Sequence, residues 1–210
     1  INFDLSNTTI DPIQLGKILN NLKVKGVDNV IMEASSHGLE QNRLDGLLFN
    51  LGIFTNFSQD HLDYHKNLDT YLKAKLYLFK NLIKKKGHII TDKKIPEFSK
   101  IQRISVNQSL KLHKINSKGS CKILSHHYQD EAQILKIQLK NSIKTIKLNL
   151  IGKIQLNNIL MAIIAAKKSN LSLDKIFEII PKIKSVEGRF EKIGKIKNNS
   201  KVILDYAHTP

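Results

Sequence analysis

An α/β fold, a mostly parallel sheet flanked by helices with an appended antiparallel sheet, is what this 210-residue sequence predicts. Three observations carry that reading. Strand-like apolar runs alternate with amphipathic helices over the first ninety residues, as in βαβ units. The texture then shifts to short alternating segments. Helical periodicity returns near the end.

The elements follow in order. Asp11-Pro12 has the form of an N-cap followed by proline at the first helical position, and Ile13 to Leu22 continues as an amphipathic helix. Gly26 closes that region, and Asn29-Val-Ile-Met-Glu33 reads as a buried strand. Leu47 to Phe57 reads as another strand, ending in Thr55-Asn56. Asn67 to Ile83 is a helix with Leu68, Leu72, Leu76 and Phe79 along one face; Gly87 stops it, and His88-Ile-Ile-Thr91 is the next strand. From about Ile101 to Leu150, segments such as Gln133–Leu139 and Ser142–Leu150 predict an antiparallel meander joined to the parallel sheet. Helices return at Asn157–Lys168 and Leu173–Ile183, the second capped by Ser172, and Lys201–Asp205 is a last strand.

Composition narrows the function classes. Hydrophobic residues make up 41% of the chain, and no apolar run approaches the roughly 20 residues of a membrane span. No signal peptide is visible, and the lack of an initiator Met leads us to expect a chain that begins inside a longer protein. The single Cys121 rules out an internal disulfide and suits a reducing compartment, so a cytoplasmic location is expected. The net charge of +16 invites a nucleic-acid reading. Against it, lysine supplies nearly all of the charge, and only Arg43, Arg103 and Arg189 offer the guanidinium fork that base and phosphate recognition favours. The lysines are scattered rather than interleaved with aromatics, so no nucleic-acid partner is expected.

Three clusters carry candidate chemistry, where an open α/β sheet places its site, at the carboxyl ends of strands. The first, Glu33-Ala-Ser-Ser-His-Gly-Leu-Glu-Gln-Asn-Arg43, packs carboxylate, hydroxyls, amide and guanidinium into one loop, which suits a polar ligand. Singly, its residues also read as a strand end, a helix start and a turn. The second, Asp60-His-Leu-Asp-Tyr-His65, holds two histidines and two carboxylates, a spacing open to a metal site but without the Glu of a zinc-protease motif. The third is Lys75, which falls within the apolar stripe of its helix while Lys73 and Lys80 point elsewhere. It is either a lysine snorkelling from the stripe edge or an amine whose pKa is lowered by desolvation so that the neutral form reacts.

Met32 to Gly46, Phe54 to His65 and Tyr71-Leu-Lys-Ala-Lys75 resemble the central domain of the Mur ligase family. Further matches are Asn7-Thr8-Thr9, Gly152 to Asn158, Gly188-Arg-Phe-Glu191 and Asp205-Tyr-Ala-His-Thr-Pro210, so the resemblance runs in order through almost the whole chain. It implies a P-loop-type fold and an ATP- and Mg2+-dependent ligase of cell-wall peptidoglycan synthesis. In the branch it resembles most, a third amino acid is joined to UDP-N-acetylmuramoyl-L-alanyl-D-glutamate through an acyl phosphate. By that resemblance Glu33 and His61 hold magnesium, and Lys75 is carbamylated and serves the metal region. His61, Lys75 and Arg189 are implied in catalysis. Asn7, Thr8, Thr9, Ser35, Gln41 and Arg43 match positions that grip the UDP-muramoyl-dipeptide, and Asn158, Arg189 and Asp205 match positions near the nucleotide. The amino acid expected is meso-diaminopimelate, the commoner choice across bacteria, with L-lysine the alternative; a monomer is expected.

The match has departures. The family's glycine-rich phosphate loop is absent: no GxxxxGK[ST] occurs, since Gly16-Lys17 and Gly152-Lys153 are each followed by Ile. Ile10 follows the Thr pair where proline is common, and Gln155 stands where the family usually has Asn. The expected organisation is therefore a central ATP-binding domain over residues 1–198, without its phosphate-loop segment, and the start of a truncated C-terminal domain over residues 199–210. Other Mur ligases and the folylpolyglutamate synthetases are the nearest rivals, with a basic nucleic-acid module and a zinc hydrolase further off.

Overall fold

The computed structural model describes residues 8–117, 121–129, 132–139 and 142–207. The chain divides into two compact units, one drawn from Ile1–Gly52, Phe57–Ile89 and Ser99–Leu112, the other from Ile53–Asn56, Ile90–Phe98 and His113–Pro210. The class is α/β: a parallel three-stranded sheet of order β1 (Phe49–Phe54), β2 (Ile83–Asp92), β3 (Lys111–Ile115) with flanking helices, plus antiparallel sheets.

In the first unit, helix α1 (Pro12–Val24) starts as expected, with the Asp11 carboxylate accepting from the Ile13 and Gln14 amides. These are two of the donors that a helix start leaves without partners. Its inner face sends Leu15, with Ile18 and Leu19, into a core that also takes Ile10, Leu39, Leu44 and Leu82. The expected strand at Asn29–Glu33 does not form: residues 27–35 have no ladder partner among the described strands, and Ile31 is 98% exposed. Apolar extended backbone becomes a strand only where a neighbour takes its hydrogen bonds.

Short helix α2 (Ser36–Glu40) follows, capped by the Ser35 hydroxyl accepting from the Gly38 amide, and then strand β1 (Phe49–Phe54). After β1 come one turn of helix, α3 (Leu62–His65), and helix α4 (Leu68–Tyr77), capped by Asn67. A π-turn over Leu78–Leu82 follows, keeping Phe79 and Leu82 both inward. Strand β2 (Ile83–Asp92) begins there, so the helix ends at Leu82 and Gly87 lies inside a strand, not at a helix stop.

The expected meander from Ile101 is corrected over its first part. Residues Phe98–Asn107 form helix α5, which buries Ile101, Ile104 and Ser105. Their spacing of three and four is the helical period rather than strand alternation. Lys111–Ile115 then forms β3 in the parallel sheet.

In the second unit the meander is real. Strands β4 (Lys122–Gln129), β5 (Ala132–Leu139) and β6 (Ser142–Leu148) pair antiparallel, with Leu135 opposite both His126 and Ile146. Leu135, Ile137, Ile146 and Leu148 bury one face. Helix α6 (Ile154–Lys168) buries Leu156, Ile159, Leu160, Met161 and Ile163. Helix α7 (Leu173–Ile179) has its Ser172 cap, accepting from the Lys175 amide. Strands β7 (Glu191–Lys195) and β8 (Lys201–Leu204) close the chain as an antiparallel pair. A buried carboxylate knits this unit: Asp92 accepts from the Asn116 and Asn157 side-chain amides at 2.9 and 3.0 Å and from the Lys94 amide at 2.9 Å. Those donors satisfy a charge that burial would otherwise penalise heavily.

Candidate functional site

A cavity of about 400 Å³ opens in the first unit. Eight of the residues singled out in the sequence line it: Thr8, Thr9, Glu33, Ser35, Gln41, Arg43, His61 and Lys75. Asn7 lies outside the described residues.

The floor is fixed by Thr9. Its buried hydroxyl donates to the Glu33 carbonyl at 3.1 Å and accepts from the Ser35 amide at 2.9 Å, which sets the turn that carries both residues. Gly38 is required beneath it, since a Cβ there would stand 2.5 Å from the Thr9 methyl. Arg43 closes the wall. Its Nη1 donates to the Thr9 carbonyl at 2.6 Å and its Nε to Gln41 Oε1 at 2.8 Å. Gln41 in turn donates to the Tyr64 hydroxyl at 3.0 Å.

His61 occupies a left-handed conformation, φ 54°, which a non-glycine residue adopts only when its surroundings hold it there. Asp60 does so, accepting from the His61 amide at 2.8 Å and lying 3.6 Å from its ring nitrogen. Around it an aromatic wall gathers: His37 packs on His61, Tyr64 and His65, and Tyr71 packs on His61 and His65.

Lys75 reaches in from α4, with its Nζ 5.2 Å from the centre of the Tyr71 ring. Leu72, Leu76 and Phe79 are buried on that helical face while Lys73 and Lys80 are exposed, as the stripe predicts, although Leu68 is exposed. Burial pushes the Lys75 amine below the usual lysine range, opposed in part by the negative charges of Glu33 and Asp60. Burial and Asp60 likewise push the Tyr71 phenol upward.

Within the aspartate–histidine cluster, His65 sets its Nε2 2.9 Å from the Ser36 hydroxyl. Among the described residues no group of three His, Cys, Asp or Glu side chains is placed to hold a metal. Cys121 is buried, its thiol pushed up to about 12 by desolvation, so it is no nucleophile at neutral pH. Ser36, His37 and Tyr71 also line the cavity and were not singled out from the sequence. The available signal was the i, i+4 spacing of Tyr71 with Lys75.

In the second unit, Arg189 and Asp205 lie on loops that touch, and Asn158 lies on α6. Tyr206 donates its amide to the Gly188 carbonyl at 2.9 Å, which brings the Arg189 and Asp205 segments together. A Cβ on Gly152 would meet the Phe190 ring at 3.3 Å, so the loop before α6 packs on the same segment. Asn158 donates to Gln155 at 3.2 Å. Arg189 is exposed, and among the described residues no hydrogen bond or ion pair joins the Asn158, Arg189 and Asp205 side chains. His208-Thr-Pro210 lies outside the described residues.

A parallel α/β core with a desolvated lysine, a carboxylate and a histidine facing one cavity defines the class, and comparison with known proteins gives the family. The Mur ligase middle domain matches residues 1–166, and the chain belongs to the Mur ligase family. It is similar to the UDP-N-acetylmuramoyl-L-alanyl-D-glutamate--2,6-diaminopimelate ligase of Rickettsia montanensis, 34% identical over 97% of this chain and 42% of that protein. Its fold is similar to a solved ligase of the same name, TM-score 0.82 at 27% identity, over 96% of this chain and 42% of that one. A MurF ligase from Thermotoga maritima solved with ADP shares the fold at TM-score 0.63 and 17% identity, over 77% of this chain and 36% of that one. The chain thus spans about 42% of the length of the first two of these relatives. Among the described residues no helix is long and apolar enough to cross a membrane.

Proposed function

We propose that this chain is the central part of a cytoplasmic, monomeric ligase that uses ATP and Mg2+ to join meso-diaminopimelate to UDP-N-acetylmuramoyl-L-alanyl-D-glutamate. The observation that carries the reading is Lys75: a half-buried amine, lowered in basicity, facing the same cavity as Glu33 and His61. The names of the similar ligases support the choice of diaminopimelate over L-lysine.

The chain's own residues divide the work. A lowered pKa leaves more of the Lys75 amine neutral, and only the neutral amine takes up carbon dioxide. The carbamate so formed is an anion carrying two oxygens in place of a cation. Glu33 and His61 would hold magnesium beside it. Glu33 and the carbamate offer oxygens that suit this hard ion, which keeps several waters, and a single imidazole is a tolerable addition. Bound there, the metal would neutralise phosphate oxygens during phosphoryl transfer. Thr8, Thr9, Ser35, Gln41 and Arg43 would hold the UDP-muramoyl-dipeptide. Asn158, Arg189 and Asp205 would hold the nucleotide.

The test is an assay of the full-length protein that contains this chain. Release of ADP and phosphate should require the UDP-dipeptide and diaminopimelate, and the tripeptide product should accumulate. Use of L-lysine instead would correct the substrate. Tight, steeply salt-dependent binding to random DNA with no ligation would replace the reading by a nucleic-acid one.

A further inference from the structure

We infer that Ser36, His65 and Glu40 form a proton relay opening on the cavity, through which the proton shed by an attacking amine reaches the departing phosphate. The inference rests on the ligase reading above.

Ser36 lines the cavity, and Ser36 and His65 are each only 3% exposed. His65 Nε2 lies 2.9 Å from the Ser36 hydroxyl oxygen. On the far side of the ring, Nδ1 has no hydrogen-bond partner and faces a Glu40 carboxylate oxygen at 3.4 Å, a charge contact rather than a hydrogen bond. Glu40 sits one turn after Ser36 on α2 and is exposed. The ring is held by stacking on Tyr71, with centroids 5.1 Å apart and planes 26° apart.

This geometry selects the tautomer. A neutral imidazole carries one N–H, and on Nδ1 it points at a carboxylate, whereas the other tautomer would aim a lone pair there. Nε2 is then the acceptor for the Ser36 O–H, and the Ser36 oxygen becomes a better proton acceptor toward the cavity. The same serine–histidine–carboxylate logic activates hydroxyls in hydrolases on unrelated folds. The charged and titratable groups facing His65 are Glu40 and His37 from α2, His61, Asp63 and Tyr64 from α3 and its entry, and Tyr71 from α4.

The step balances. The amine nitrogen forms its bond to the acyl carbon, and the bond from that carbon to the phosphate oxygen breaks. The proton leaving nitrogen passes to Ser36 Oγ as the Ser36 proton moves to His65 Nε2, giving an imidazolium opposite Glu40. That proton returns along the same path to the phosphate, which departs as hydrogen phosphate. No proton is gained from or lost to solvent.

The experiment uses the full-length ligase. Glu40→Gln replaces an exposed side chain, so folding is not at stake. It should lower kcat about tenfold, within what positioned acid–base groups supply, and leave the KM of each substrate unchanged. Ser36→Ala should slow amide formation about a hundredfold while acyl-phosphate formation, trapped with hydroxylamine, continues, and Ser36→Thr should restore part of the rate. Unchanged kcat in Glu40→Gln, with the wild type active, would overturn the relay and leave His65–Ser36 a structural tie. No amide formation by the wild type would overturn the ligase reading, and the relay with it.

Discussion

The Nζ of Lys75 lies 5.2 Å from the centre of the Tyr71 ring, one helical turn back on α4. The ring face favours the ammonium by roughly 0.5–1 kcal/mol at an exposed site, while burial acts the other way and pushes the amine's pKa down against the charges of Glu33 and Asp60. An amine in that balance is suited to conversion rather than to service as a cation. In the full-length protein, the proposed function predicts that Lys75→Ala nearly abolishes turnover and that short carboxylates in the buffer partly restore it. Lys75→Arg should stay inactive, because its permanent cation cannot take up carbon dioxide. Steady-state kinetics of the three proteins decide, and an active Arg variant would reduce Lys75 to a packing residue.

Arg43 forks onto the Thr9 carbonyl and Gln41, so it shapes the cavity wall as well as offering charge to a ligand. Arg43→Ala should weaken UDP-muramoyl-dipeptide binding by roughly 1.5–3 kcal/mol, the range of a lost charged hydrogen bond. Arg43→Lys should not recover it, since an ammonium lacks the fork. Calorimetric titration with the dipeptide checks this, and an unchanged Kd would mean that Arg43 is only a surface charge.

Gly188 has φ +64°, and a Cβ there would stand 2.3 Å from the Tyr206 ring. Gly188→Ala should therefore destabilise the fold by about 2–3 kcal/mol through left-handed strain and overpacking. Adding Tyr206→Ala should return the overpacking part but not the strain. Denaturant unfolding of the single and double variants separates the two.

His65 is held below the ordinary histidine value of 6.5, chiefly by burial. The unfolded chain then binds a proton more readily than the folded one, so stability rises with pH in that window. Stability should fall as pH drops below 6.5 toward the lower folded pKa, and this contribution should be flat above it. His65→Gln should lower Tm overall but shrink its change between pH 8 and pH 5; equal changes in both proteins would contradict the assignment.

Much of this was legible in the chain, for local reasons. Asp11, Ser35, Asn67 and Ser172 cap helices because their short polar side chains reach the first free amides. The eight cavity residues are named as one site through the resemblance to the Mur ligase family rather than from local pattern, since Thr9 meets Ser35 and Arg43 across 26 and 34 positions. What escaped depended on partners that periodicity does not encode. Asn29–Glu33 has the composition of a strand but no ladder partner among the described residues. Phe98–Asn107 spaces its apolar residues by three and four, yet is short enough to pass for alternation. The inward turn of His65 onto Ser36 joins positions 29 residues apart, which no local pattern reveals.

The most direct test of the account is carbon-13 NMR of the protein equilibrated with labelled bicarbonate. Carbamylation of Lys75 predicts one slowly exchanging protein carbamate signal at neutral pH, where ordinary lysines are protonated and unreactive. It should vanish in Lys75→Ala and sharpen or shift on adding magnesium. A spectrum without that signal, or one in which it survives in Lys75→Ala, would contradict the central claim.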